Sequence, residues 1–185
     1  MKLRGVRERH AWRAMAILVI SLLMLGCTTL PALAPAPAPT SKVEALVTER
    51  ATEYFQVYAE RKDFNRLMSF YADEASLQDL IFGYIADDKK AIEAFFNWND
   101  GFFELPVGQP ALVLNALTVQ GQRAVAQGHF TPFTYKGRDL GPWWFVTILD
   151  FNPDGLIVRH SDWINYTPRE LFLEGDNLNR LLNGE

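Results

Sequence analysis

The sequence predicts an α+β fold in which N-terminal helices pack on one face of an antiparallel sheet. Three observations point there. Apolar residues recur at helical spacing through most of residues 41–98. From Ala111 the spacing changes to strict alternation. Turn signals at Gly121-Gln122, Lys136–Asp139 and Asn152–Gly155 then divide the second half into strands.

Taken in order, Ser41-x-x-Glu44 is a capping box that opens the first helix. Val43, Val47, Ala51, Tyr54, Phe55 and Tyr58 mark its buried side, and Arg61-Lys62 suit its C-terminus. Asp63 caps a second, short helix marked by Phe64, Leu67, Met68 and Tyr71. A tight break at Ala72-Asp73-Glu74 separates it from a strand, Ala75–Asp79, which places Asp79 on one face with Ala75 and Leu77. Asp88 caps a third helix that buries Ile92, Phe95, Phe96 and Trp98 and ends at Asn99-Asp100-Gly101. Phe102–Pro110 reads as a loop. The strands that follow are Ala111–Gln120, Arg123–Tyr135 with a bend at Gly128 or Pro132, Leu140–Phe151 and Leu156–Ile164. Short C-terminal helices begin at Thr167-Pro168-Arg169-Glu170.

Two strands carry acids on apolar faces. Asp79 shares its face with Leu77, and His160 and Asp162 share theirs with Leu156, Val158 and Ile164. These three are the candidate catalytic residues: burial would raise a carboxyl's proton affinity, and a second acid nearby would raise it further. Plain structural roles remain open beside this. Asp79 would then cap the following loop or pair with Arg138 or Arg159, and His160 with Asp162 would be a satisfied hydrogen-bonding pair. His129 reads as exposed. Three dispersed histidines and one cysteine give no metal spacing, and no glycine-rich phosphate loop is present, so neither metal nor cofactor is expected. Leu140–Phe151 is apolar on both faces, which predicts burial on both and a homodimer through the surplus face.

The stretch FYADEASLQDLIFG followed by DDKKAIEAFF resembles the nuclear transport factor 2-like superfamily, above all its SnoaL-like and ketosteroid-isomerase-like branches. The resemblance covers about Val43 to Tyr166. It implies a cone, with a strongly curved sheet wrapped round the helices and enclosing a mostly apolar pocket, lined here by Tyr54, Tyr58, Trp98 and Trp144. It also puts Asp79 where the isomerase-like branch holds its general base. Phe55 and Thr147 fall where that branch has its oxyanion-hole Tyr and Asp, which argues against steroid-isomerase chemistry.

The first 27 residues read as a leader. Lys2, Arg4, Arg7, Arg9 and Arg13 form a basic start, Ala14–Leu25 is an uncharged apolar run, and Met24-Leu25-Gly26-Cys27 resembles a bacterial lipobox. That resemblance implies cleavage before Cys27 and its acylation, palmitate included. The membrane partner is then reached through lipidated Cys27, on the periplasmic face of the outer membrane in the cell envelope. A soluble signal peptide or an uncleaved anchor helix is the alternative. Residues 28–40 form a Pro/Ala-rich tether able to hold residues 41–185, the expected domain, up to ~40 Å from the membrane.

The leader holds five of the 18 basic residues and one of the 22 acidic ones, so the remainder carries 13 and 21, a net charge of −8. That balance excludes a basic nucleic-acid-binding surface. Two function classes stay open. One is a lipoprotein whose domain binds a small apolar ligand or serves as an accessory. The other is a cofactor-free lyase, isomerase or hydrolase with a pocket Asp as general base.

Overall fold

The computed structural model describes residues 41–172, 175–176 and 178–183. The leader, Cys27 and the tether lie outside the described residues. Two helices come first, α1 (Lys42–Glu60) and α2 (Phe64–Met68), and a third, α3 (Lys89–Phe96), follows the first strand hairpin. Ser41, Asp63 and Asp88 cap them, each side chain accepting an N–H of the first turn. Val47, Ala51, Tyr54 and Phe55 form the buried stripe of α1.

Six strands make the main sheet: β1 (Tyr71–Asp79), β2 (Tyr84–Ala86), β4 (Leu112–Gln120), β5 (Arg123–Phe130), β8 (Trp143–Phe151) and β9 (Ile157–Ile164), in the order β2-β1-β9-β8-β5-β4. Every pair is antiparallel except β1 with β9. The sheet is therefore mixed, because the chain returns from the meander to lay its last long strand beside its first. Register shifts interrupt three of these pairs, at Tyr71/Ser76, Leu114/Ala116 and Asp150/Phe151. Such bulges bend strands and increase their twist, which curves the sheet round the helices. A second, three-stranded sheet joins β3 (Phe103–Glu104), β6 (Phe133–Tyr135) and β7 (Arg138–Leu140).

Several boundaries differ from the sequence reading. The break before β1 falls at Ser69-Phe70, and Tyr71 belongs to the strand; the bulge hides this by putting Asp73 and Glu74 on the surface. Helix α3 stops at Phe96 because Asn97 adopts a left-handed conformation, φ 31°. Phe103–Glu104, read as loop, finds a strand partner in β6. The long strand predicted over Arg123–Tyr135 ends at Phe130, and its remainder joins the second sheet. Leu140 likewise closes β7, leaving β8 to start at Trp143.

The inner face of β8 carries Trp143, Phe145, Thr147, Leu149 and Phe151, all buried. Its other face is not buried within the chain: Trp144 is 57% exposed, and Val146 and Trp163 are open beside it. In β9 the core residue is Ile157 rather than Leu156 or Val158, since the bulge next to Asp150 shifts the alternation by one. Past the bulge, His160, Asp162 and Ile164 all face inward. Two short 3-10 helices, Arg169–Phe172 and Leu178–Asn183, end the described chain.

Candidate functional site

Asp79 and Asp162 are direct neighbours in the parallel β1–β9 pair, and the Leu80 N–H donates to the Asp162 carbonyl at 3.0 Å. Both carboxyls point to the helix side of the sheet, where alternation has placed Leu77 and Ile164 as well. Asp79 is fully buried. Its Oδ1 accepts the N–H groups of Phe82 (2.9 Å) and Ile81 (3.2 Å), and its Oδ2 accepts the Tyr166 hydroxyl. It thus caps the turn into β2, and neither Arg138 nor Arg159 pairs with it. Burial holds its carboxyl above the usual carboxylate range, against the pull of the Tyr166 and Phe82 donors, and the nearby Asp162 adds to the rise.

Asp162 meets the Thr147 hydroxyl, which donates to Oδ1 across the β8–β9 pair, and the His160 ring, whose Nε2 lies 3.0 Å from Oδ2. The second contact is close but off the line of the N–H, so it is electrostatic rather than a directed hydrogen bond. On its other side His160 Nδ1 lies 2.8 Å from the Tyr71 hydroxyl, which lies 2.9 Å from the Tyr54 hydroxyl. Burial pushes both phenols well above their ordinary range, so both stay protonated. Both phenol protons find acceptors only if Tyr54 donates to Tyr71 and Tyr71 donates to Nδ1. The reverse order would strand the Tyr54 hydrogen, which has no other partner among the described residues. The His160 Nδ1 is then an acceptor, which puts the ring proton on Nε2, on the side of Asp162.

These groups lie beside a cavity of about 280 Å³ between α1, α3 and the inner sheet face. Phe95, Phe96, Phe130, Phe133, Trp143 and Tyr166 supply much of its wall. Its polar groups include Tyr58, Arg61, Asp100 and Asp162. Tyr166 stacks on Phe172 (ring centroids 4.7 Å apart) and meets Trp143 edge-on (5.0 Å), closing one side.

Of the three candidate acid–base residues, Asp162 reaches this cavity. His160 lies behind Asp162, packed between Tyr54, Tyr71 and Phe96, and Asp79 lies behind Tyr166. Of the four expected lining aromatics, Tyr58 is on the wall. Tyr54 is buried below it, in the hydrogen-bonded chain to His160. Trp98 packs outside it against Tyr58, Phe64 and Arg61, because α3 ends two residues earlier than its apolar spacing suggests. Trp144 is on the opposite face of β8, as the alternation with buried Trp143 requires. Among the described residues no cluster of His, Cys, Asp and Glu has the makings of a metal site.

Four contributors escaped the sequence reading of the site. Tyr166 follows Asp162 and Ile164 at strand spacing, so continued alternation would have found it. Thr147 reads in the sequence only as replacing an acid of the isomerase-like branch, and its role as donor to Asp162 depends on the β8–β9 register. Tyr71 was concealed by the bulge. Arg61 looked like a helix-end cation, yet it takes a left-handed C-cap conformation, φ 49°, and lays its guanidinium over Phe103 (3.9 Å) and Trp98 (4.8 Å). For a residue with a Cβ that conformation costs roughly 1–2 kcal/mol.

The model of the SnoaL-like domain matches residues 51–160, more than half of the 185 residues. The chain belongs to the SnoaL-like family. No match was found among curated proteins. Solved structures share the fold of this SnoaL-like protein at low identity. One is a nuclear transport factor 2-like protein of unknown function from Burkholderia xenovorans LB400, 17% identical, with 74% of this chain and 99% of that one covered and a TM-score of 0.53. Another is a steroid delta-isomerase from Pseudomonas aeruginosa, 16% identical over 77% and 96%, TM-score 0.52. A third is an epoxide hydrolase from M. tuberculosis resembling LEH, 12% identical over 77% and 98%, TM-score 0.55. Neighbours with such different activities share a scaffold, and the scaffold assigns none of those activities here.

Proposed function

We propose that this SnoaL-like protein binds a small, mostly apolar molecule in its aromatic cavity while anchored to a membrane through lipidated Cys27. The observation that carries the reading is the cavity itself, about 280 Å³ of largely aromatic wall with a few polar groups in it. The anchor rests on the basic start, the apolar run and the Met24–Cys27 motif, with residues 28–40 as a tether, and it puts the domain on the periplasmic side of the cell envelope. Native mass spectrometry of the full chain, extracted from membranes in detergent, tests the cavity. The expected spectrum shows a retained small molecule that Ile164→Trp, which fills the cavity, removes. An unliganded wild-type protein that also binds no aromatic probe in calorimetry refutes the reading.

A cofactor-free acid–base enzyme is the second reading, and one observation favours it. Asp162 stands on the cavity wall with His160 behind it and buried Asp79 in register beside it. Against it, Phe55 has no polar group to offer at the former oxyanion position, and the Thr147 hydroxyl is committed to Asp162. Binding is therefore the better-supported function.

A further inference from the structure

We propose that the last turn of α1 is a carboxylate anchor: Arg61, with Tyr58 beside it, holds the acid group of an organic acid whose apolar body fills the aromatic cavity. This rests on the binding reading above and adds the chemical class of the ligand. Arg61 and Tyr58 both line the cavity. Among the described residues, no acceptor is hydrogen-bonded or ion-paired to the Arg61 guanidinium, and the Tyr58 hydroxyl likewise has no hydrogen-bond partner. Both residues are half-buried, so water serves these donors in the free protein, and a ligand acceptor that displaces it would be bound by two groups at once.

The guanidinium is held in place all the same. Its Cζ lies over the ring of Phe103 at 3.9 Å and over that of Trp98 at 4.8 Å. Cation–π contact uses no hydrogen-bond acceptor, so the guanidinium's N–H donors remain available to a ligand. A fixed planar fork with open donors matches the two oxygens of a carboxylate. The backbone supports the same conclusion: Arg61 takes a left-handed C-cap conformation, φ 49°, that glycine would adopt without strain. A long side chain is kept where the backbone disfavours one.

Two acids share the wall, and both are engaged. Asp100 accepts the Phe102 N–H at 2.9 Å through Oδ1 and the Tyr135 hydroxyl at 3.2 Å through Oδ2. It attracts Arg61 from a distance but forms no ion pair with it. Asp162 is met by Thr147 and His160. Its charge repels an acid group at that end of the cavity, so the ligand's carboxylate goes to Arg61 and its apolar body lies toward the inner sheet face.

Calorimetric titration of the full chain in detergent with three isosteric probes tests this: 2-naphthoate, 2-naphthamide and 2-naphthylmethylammonium. The expected order has naphthoate tightest, by about tenfold over the amide. Arg61→Gln should level naphthoate with naphthamide, while Arg61→Lys, which keeps the charge but not the fork, should retain part of the preference. Equal binding of acid and amide by the wild type overturns the anchor and leaves the cavity reading standing. Tightest binding of the ammonium overturns it in favour of Asp162, and a preference for naphthoate that survives Arg61→Gln overturns it too. If none of the probes binds, both readings fail. Should Arg61→Gln not fold, the wild-type order and Arg61→Lys decide.

Discussion

Replacing Asp79 by asparagine keeps the side-chain volume and removes one buried negative charge. The amide oxygen can still accept the Ile81 and Phe82 N–H groups, while the bond to Tyr166 reverses: the amide nitrogen donates to the hydroxyl oxygen, whose own hydrogen turns to the cavity that Tyr166 lines. Alanine at the same place removes the acceptor from all three donors. Ile81 is exposed, so water can take over its N–H, but Phe82 and Tyr166 are partly buried. Two stranded donors at about 1–3 kcal/mol each predict a loss of about 2–6 kcal/mol for Asp79→Ala. In a domain of this size that lowers the melting temperature by on the order of 10 °C. The pH dependence separates charge from contacts. Because the folded protein holds the Asp79 proton more tightly than the unfolded chain does, its contribution is complete below about pH 3.9 and is lost as pH rises through the higher folded value. Asparagine has no such loss. Urea unfolding at intervals from pH 4 to pH 8 should therefore show Asp79→Asn matching the wild type in acid and exceeding it at neutral pH. An asparagine variant that is clearly less stable at neutral pH than at acid pH, relative to wild type, would show that the ionised carboxylate stabilises the fold and would sink the reasoning.

Three further outcomes are expected. Gly83 has φ +77°, and a Cβ there would lie 2.0 Å from the Asp176 carbonyl oxygen, so Gly83→Ala combines backbone strain with loss of the Asp176 N–H to Gly83 carbonyl bond. It should cost about 2–3 kcal/mol, against ~1 kcal/mol for Gly121→Ala, where φ is +57° and nothing lies within 4 Å; chemical denaturation of both measures the difference. Cys27→Ser should leave the protein in the soluble fraction or as an unprocessed precursor, read by membrane fractionation and the mass of the N-terminal peptide. The exposed apolar face at Trp144, Val146 and Trp163 should pair two chains at micromolar concentration, with Trp144→Glu returning a monomer in light scattering.

The fold was largely legible because its caps and turns are local. Ser41, Asp63 and Asp88 each cap the helix that follows through a side-chain contact spanning three residues. Gly121 supplies the positive φ, 57°, that the tight β4–β5 turn needs. What stayed hidden depends on partners far away in sequence. The parallel β1–β9 pair leaves no mark in either strand's own alternation, and the bulge between Tyr71 and Ser76 exists only against β9. The site divides in the same way. Alternation alone puts Asp79 and Asp162 on inner faces, and carried further it gives Tyr166 and turns Trp144 away, but nothing local says that Asp79 and Asp162 sit side by side or that the Tyr166 hydroxyl reaches Asp79. Those facts follow from how the last strand and the C-terminal segment lie across the first hairpin.

That parallel pairing also sets an order of assembly. Asp79 and Asp162 are direct neighbours, yet they stand 83 positions apart, so the floor of the cavity cannot exist until the last long strand has arrived. Until then β1 has only β2 beside it, through three residue pairs, and its other edge is open. A chain emerging N-terminus first therefore presents a long apolar edge throughout the making of β4, β5 and β8, a slow, non-local closure of the kind that leaves intermediates prone to associate. Truncation anywhere before Ile157 would remove more than a terminal strand. It would leave β1 as a lasting open edge, with Tyr71, Leu77 and Asp79 bared to solvent or to another copy of the same fragment.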